Sequence, residues 1–336
     1  MKKKKMIGYI LLVVVLLAVF LVYSVLKVRV SPSVFVPRPD SNLGSDINQL
    51  YEHVEHLSVR IGSRSVFEYD KIEAAKHYIV SFLEGMGYAP VLQNYTYNDK
   101  VYSNIIASRE GVQRPDETVV IGAHYDTVYG TPGADDNASA VAVLLEMCRA
   151  LKDFSPGRTL KLIFFTLEEP PVFRTKFMGS YVYAREAKAK GENIRAMVCL
   201  EMLGYYGDKK GGQTFPLPFM NLVYSSTPNF IAVVGNLKSR GLVKRIEGSL
   251  KKSSNIPVET MSTVSFVPGV DFSDHRSFWK MGYAAVMITD TAFYRNPNYH
   301  SARDTIDTLD FVSMSSLLAG LIRAAEDLTE FNPRLR

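Results

Sequence analysis

Residues 118–126 read TVVIGAHYD: an uncharged, mostly apolar run from Thr118 to Ala123, then His124 and, two positions on, Asp126. A run this short, apolar without alternation, predicts a strand buried on both faces, as parallel sheets require. Its polar residues stand at the carboxyl end, where open α/β sheets bind their ligands. Working outward, similar runs fall at 104–108, 159–166, 196–200, 221–224 and 284–289. Helical spacing falls at 138–151, 180–189, 231–239, 241–251, 273–281 and 311–328. Two earlier helices fit SDINQLYEHVEHLS, where Ile47, Leu50, Val54 and Leu57 share a face, and 73–87, with Gly87 at its C-cap. The alternation predicts an α/β fold with a largely parallel sheet covered on both sides.

The ends of these runs carry the chemistry. In order they are GAHYDT (His124, Asp126), GADDNAS (Asp135, Asp136), LIFFTLEEP (Glu168, Glu169), AMVCLEM (Glu201) and NPNYHSARDT (Tyr299, His300). Each alone has an ordinary explanation. A histidine can end a solvated strand, and an acidic pair opening a helix is capping chemistry. Glu168 and Glu169 resist that explanation, because they follow a buried strand and precede Pro170 and Pro171. Adjacent carboxylates there repel and lose hydration unless a cation is present. Three acidic strand ends with two histidines are what two neighbouring Zn²⁺ ions require, since zinc accepts imidazole nitrogen and carboxylate oxygen. Two such ions about 3.5–4 Å apart can share a hydroxide and polarise a carbonyl. Asp126, close to a ligating His124, is placed to accept that ring's other N–H.

Taken together, GAHYDTVYGTPGADDNASAVAVLLE, FFTLEE, MGS, LEM, SDHRSFW and YHSARDT resemble the M28 family of zinc peptidases. That family includes secreted bacterial and fungal aminopeptidases, glutamate carboxypeptidase II and the glutaminyl cyclases. The resemblance runs from about Asp46 to the C-terminus. It implies a single three-layer αβα domain with a mixed, largely parallel sheet. It also implies two Zn²⁺, one on His124 and Glu201, the other on Glu169 and His300, with Asp136 bridging and the Asp136–Asn137 peptide cis. Glu168 would be the general base, Tyr299 would face the oxyanion, and the substrate would be a peptide with a free N-terminus. Its α-amine would sit by Glu201 and Glu168. Asp126 and Asp274 would support the site from behind.

The sequence also departs from the family. The link PPVFRTKFMGS after the paired glutamates is longer than the family's usual one, and its Arg174 and Lys176 read either as candidates for the substrate pocket or as part of a solvated surface loop. Asp271 and Phe272, in PGVDFSDHRSFW, are pocket candidates too, with Asp271 also readable as a structural loop carboxylate. His53, His56 and His77 fall on helices and read as surface or packing residues. No lid domain fits between the motifs. Two other functions share these features: a glutaminyl cyclase-like zinc acyltransferase holding one zinc, and a non-catalytic, membrane-tethered interaction domain. The latter would have lost Glu168 or a ligand, and none is missing.

The net charge of +5 owes four charges to the lysine run at 2–5, so the remainder is near balance and no nucleic-acid binding is expected. Residues 6–26 follow without a charge, long enough to span a bilayer as one helix. A cleaved signal peptide is the rival reading, although no A-x-A-like site follows. The expected organisation is a cytoplasmic basic tail at 1–5, a transmembrane anchor at 6–26, a proline-containing linker at 27–45 and a catalytic domain at 46–336. By the positive-inside rule that domain faces the periplasm or cell exterior. Cys148 and Cys199, both within apolar segments, are expected as buried free thiols rather than a disulfide.

Overall fold

A computed structural model describes residues 43–330. The chain opens with helix α1 (Leu43–Glu55), which continues into a π-turn (His56–Ile61), and then α2 (Tyr69–Gly85). Strands β1 (Val91–Tyr97), β2 (Lys100–Arg109) and β3 (Arg114–His124) precede α3 (Ala140–Ala150) and β4 (Arg158–Phe165). Helix α4 (Gly179–Ala189), β5 (Asn193–Glu201), β6 (Ile231–Asn236), α5 (Arg240–Ser253) and β7 (Val258–Thr263) follow. The last elements are α6 (His275–Lys280), β8 (Ala285–Thr289) and α7 (Phe311–Thr329).

The strands form one sheet in the order β1-β2-β4-β3-β5-β8-β6-β7. Its centre, β4-β3-β5-β8, is parallel; β2 joins β4 and β6 joins β8 antiparallel, so the sheet is mixed, as expected. Side chains alternate across it with the period of two that a strand imposes. Val119, Ile121, Leu160, Leu162, Val198 and Ile288 pack on one face under α1, α2, α3, α5 and α7. Val120, Ile163, Phe165, Met197 and Met287 pack on the other under α4 and α6. The result is the three-layer arrangement, and it explains why β3 reads as apolar throughout.

Two expected elements are different. Residues 231–239, expected as a helix, form β6 and a short 3₁₀ turn at Leu237–Ser239. Ile231 and Val233 bury on one face and Ala232 and Val234 on the other, and a short apolar run cannot be told from a buried helix by periodicity. Residues 221–224, expected as a strand, lie at the end of a 3₁₀ turn (Pro218–Leu222). Strands β1 and β7 were not expected. Both are sheet edges, and β1 in particular is polar and half exposed, so neither has the apolar signature of the central strands. Cys148 and Cys199 are buried and free. Among the described residues no helix is long and apolar enough to cross a membrane, and the span expected at 6–26 lies outside them.

Candidate active site

The carboxyl ends of three adjacent parallel strands bring the acidic and histidine residues to one place. His124 is the last residue of β3 and Glu201 the last of β5, while Glu168 and Glu169 follow β4. Asp136 comes from the turn Ala134–Ser139 that opens α3, and His300 from the loop after β8. The two oxygens of Asp136 face different imidazoles: Oδ1 is 3.4 Å from His124 Nε2 and Oδ2 is 3.2 Å from His300 Nε2. Each imidazole has a second carboxylate. Glu201 Oε2 lies 3.4 Å from His124 Nε2, and Glu169 Oε2 lies 3.3 Å from His300 Nε2. The Asp136–Asn137 peptide is cis, as is Pro170–Pro171.

These donors fit metal ions. Ligands about 2.0–2.2 Å from a tetrahedral zinc stand about 3.3–3.5 Å from one another, the separation found around both imidazoles. Asp136 Oδ1 and Glu169 Oε1 are buried without a hydrogen-bond partner, and the donor atoms of His124, Asp136 and Glu169 all lie within 4.8 Å of one another. The proton affinities show the same need for a cation. Burial, then the Asp136 charge, pushes Glu169 up to about 8. Burial pushes Glu168 well above the carboxylate range, with Glu169, Glu201 and Asp274 adding to it against the pull of His124. Burial opposes protonation of His300, but Asp136 and Glu169 outweigh it and raise the ring to about 10. Burial likewise would raise Asp136, yet His124 and His300 hold it below its ordinary value.

Backbone clamps hold this geometry. Asp126 accepts the amides of Glu168 and Glu169, at 3.0 and 3.1 Å, on its two carboxylate oxygens. Asp304 does the same for Asp135 and Asp136, at 2.9 and 3.1 Å. The sequence predicts that the Asp126 carboxylate accepts a hydrogen bond from the His124 ring. Instead His124 Nδ1 lies 3.1 Å from the Asp126 carbonyl and 3.6 Å from Oδ1, so the backbone orients the ring while the carboxylate orients the acid pair. Asn137 ties the turn to β5, donating to Leu200 O and accepting from Met202 N. Ser273 donates to Glu201 Oε2 at 2.6 Å. Arg64, fully buried, donates to the carbonyls of Leu57, Gly62, Tyr125, Pro132 and Gly133. Burial lowers it to about 10, so it stays a cation at neutral pH beside Asp304, Asp126 and Asp136. Gly133 sits at φ +61°, and a Cβ there would meet Thr127 Cγ2 at 2.3 Å, so the turn that delivers Asp136 needs glycine.

The remaining candidates divide. Glu168 makes no ion pair among the described residues, whereas Glu169 reaches His300; the neighbours thus point to different tasks. Tyr299 stacks on His300, ring centroids 3.7 Å apart, and burial followed by the surrounding carboxylates keeps its hydroxyl protonated. Phe272 lines an apolar cleft that also borders Glu201 and Tyr299, with Phe230, Met287 and Phe293 on its walls. Asp271 does not present a free carboxylate there: Arg174 and Arg276 hold it at 2.6 and 2.8 Å. Asp274 is fully buried with neither carboxylate oxygen hydrogen-bonded, and burial raises it to about 7. His53 is a buried packing residue between Tyr78 and Glu146. Arg64, Asn137, Ser273 and Asp304 were not anticipated. Asp304 lies within the YHSARDT motif and Arg64 within RIGSRS, but nothing in a single sequence marks either as reaching the site.

Comparison with known proteins gives the family of this chain. The model of Peptidase family M28 matches residues 104–323. A relative, the uncharacterized protein YfbL of Escherichia coli (strain K12), is 36% identical over 95% of this chain and 98% of its own. Leucine aminopeptidase 1 of Fusarium vanettenii is 29% identical over 63% of this chain, which spans about half (51%) of that protein. Among solved structures, BSAP, a zinc aminopeptidase from Bacillus subtilis, superposes with a TM-score of 0.69 at 13% identity, covering 86% of this chain and 96% of that one. A glutaminyl cyclase from Bacteroides thetaiotaomicron superposes with a TM-score of 0.63 at 19% identity, covering 87% and 99%. The fold and the site define a zinc metallopeptidase. The chain belongs to peptidase family M28.

Proposed function

We propose that this chain is an aminopeptidase using two zinc ions, and that it removes the first residue of peptides with a free N-terminus. The observation that carries the reading is Asp136, whose two oxygens face two imidazoles, each with its own second carboxylate. His124 and Glu201 would hold one ion, Glu169 and His300 the other, with Asp136 between them. When bound, the ions supply Lewis acidity and lower the pKa of water to about 7.

The chain's own groups divide the remaining work. Glu168 is the general base: it takes a proton from the attacking water and passes it to the leaving amine. It lies beside the ligand Glu169 yet forms no ion pair of its own among the described residues, which leaves its carboxylate free for both halves of that task. The protonated Tyr299 hydroxyl donates to the developing oxyanion. Glu201 and Glu168 attract the substrate α-ammonium, and the apolar cleft at Glu201 and Tyr299 accepts the first side chain.

The test is a panel of aminoacyl-p-nitroanilides with zinc counted per chain. Chelator-sensitive turnover of leucine and phenylalanine anilides, with two zincs, is expected. One zinc, with ammonia released and an N-terminal pyroglutamyl residue formed on glutamine peptides, would replace the reading with a cyclase, and no turnover of any kind would leave an interaction domain. We also propose that residues 6–26 anchor the enzyme with its catalytic domain outside the cytoplasm. The support is the uncharged 21-residue run behind the lysines. Alkaline phosphatase fused after residue 60 should be active; an inactive fusion would reverse the topology.

A further inference from the structure

The loop after Glu169 carries a cation to the edge of the cleft. Residues 170–178 turn back on the acid pair, with the amides of Val172 and Phe173 donating to Glu169 O at 2.9 and 3.1 Å. Arg174 follows at φ +64°, a conformation that residues other than glycine rarely adopt. Its guanidinium lies 4.8 Å from the Phe272 ring centroid and 5.3 Å from that of Phe173. Phe272 itself lines the cleft, so Arg174 packs against a residue of its wall without being a lining residue.

Two guanidiniums share one carboxylate there. Arg174 Nη2 donates to Asp271 Oδ1 at 2.6 Å, and Arg276 Nε to Oδ2 at 2.8 Å. The cluster therefore has a charge in excess, and Lys280 adds to it: burial, then Arg276 and Arg174, lowers its ammonium affinity for a proton. Arg174 spends one of its five N–H donors on Asp271, the described residues take none of the others, and its side chain is 40% exposed. An arginine stacked on aromatic rings and held by a carboxylate has little rotamer freedom left to lose, so it is pre-organised for an anion. The cleft wall is different: no lysine or arginine lines it.

We infer that Arg174, braced by Asp271, Arg276 and the Phe173–Phe272 rings, binds a substrate carboxylate on the leaving side of the scissile bond. This rests on the aminopeptidase reading above. The first side chain takes the apolar cleft, whereas the leaving amine must approach Glu168 to receive its proton. The departing part of the peptide thus runs along the Glu168–Glu169 turn and the loop that continues from it. Two sources can supply the carboxylate: the C-terminus of a short peptide, or an acidic side chain following the scissile bond.

The test compares kcat/KM of the full-length, zinc-supplemented protein for four peptides. They are Leu-Gly-Gly and its C-terminal amide, and the amides of Leu-Glu-Gly and Leu-Gln-Gly. The wild type should favour one carboxylate member over its neutral twin about 10-fold, mainly through KM, and less so at high salt. Arg174→Ala should bring that ratio to near one, and Arg174→Lys should keep part of it. Because the reading is a ratio, a general loss of activity in either variant cancels. The pair that shows the preference identifies the source. A wild-type ratio near one in both pairs, or a ratio unchanged by both substitutions, would reduce Arg174 to a staple of the loop and overturn the inference.

Equilibrium binding of the same peptides to Glu168→Gln, with and without Arg174→Ala, separates the two readings. An Arg174-dependent preference for the acid in binding, with no hydrolysis by the wild type, would uphold the subsite and reject the aminopeptidase. Binding without such a preference would reject the subsite whatever the wild type hydrolyses.

Discussion

The two walls of the cleft are built in opposite ways. On one wall, charged side chains are buried, and their backbones are clamped from behind by Asp126 and Asp304, each accepting two consecutive amides. On the other, Phe272, Phe293, Met287 and Phe230 make an apolar surface with few directed bonds, and Phe272 and Phe293 stay near 40% exposed. The first wall must place several donor atoms within tenths of an ångström, and rigidity there comes from the four backbone amides that Asp126 and Asp304 hold. The second has only to exclude water and accept a shape, which apolar contact does without direction. Chemistry and selectivity are therefore separable, and substitutions on the two walls should fail differently.

The largest effect is expected on the clamped wall. Glu168→Gln should lower kcat by about 10²–10⁴-fold while zinc content and substrate binding stay. Glu169→Gln should lose metal, with added zinc restoring part of the activity. Zinc stoichiometry and kcat measured together decide, and metal loss in Glu168→Gln alone would exchange the two roles. Next in size is Asp304→Ala, which strands two buried amides at about 1–3 kcal/mol each. Denaturation should show a loss of about 2–6 kcal/mol, and zinc affinity should fall about 10–100-fold, as for other supports behind a metal site. An unchanged affinity would mean that the turn holds Asp136 without help.

A pH effect of similar size comes from His275, at the start of α6. It is fully buried, and burial lowers it to about 4, opposed by its bond to Val270 O and helped by the Arg276 charge. Between pH 6.5 and 4 the unfolded chain binds a proton there that the folded chain does not, so stability falls as pH falls through that window. It is complete above 6.5, and the loss reaches about 3 kcal/mol by pH 4. His275→Gln should flatten the stability curve by that amount in this range; parallel curves would show that the ring titrates normally. The smallest effect belongs to the apolar wall. Phe272→Ala should cost about 10-fold in kcat/KM for phenylalanine anilide and much less for alanine anilide, with zinc content unchanged. An equal loss for both would show that Phe272 serves the chemistry rather than the pocket.

The same division separates what was legible in the residue order from what was not. Strand ends announce themselves because a buried parallel strand is apolar throughout, and a charge just after it stands out. His124, Glu168, Glu169 and Glu201 were readable for that reason, and the fold class with them. Edge strands have no such contrast, so β1 and β7 have no sequence signature, and β6 reads as a helix because its short apolar run Ile231–Val234 fits either period. The clamps were illegible for another cause. Asp304 and Asp136 are far apart in sequence, and a carboxylate that accepts two backbone amides has no local signature.

By itself, then, the sequence determined the class of sheet, the positions of the acidic and histidine ends and the family. These follow from local periodicity and from residue types that have few other uses. Only the tertiary structure decided that Asp136 faces both imidazoles, that the Asp126 carboxylate holds the glutamate amides while its carbonyl orients the His124 ring, and that Asp271 is held by two arginines at the cleft. Those are pairings between distant segments. Their partners are selected by the packing of whole elements and by the need to satisfy each buried polar group, neither of which is written in the order of neighbouring residues.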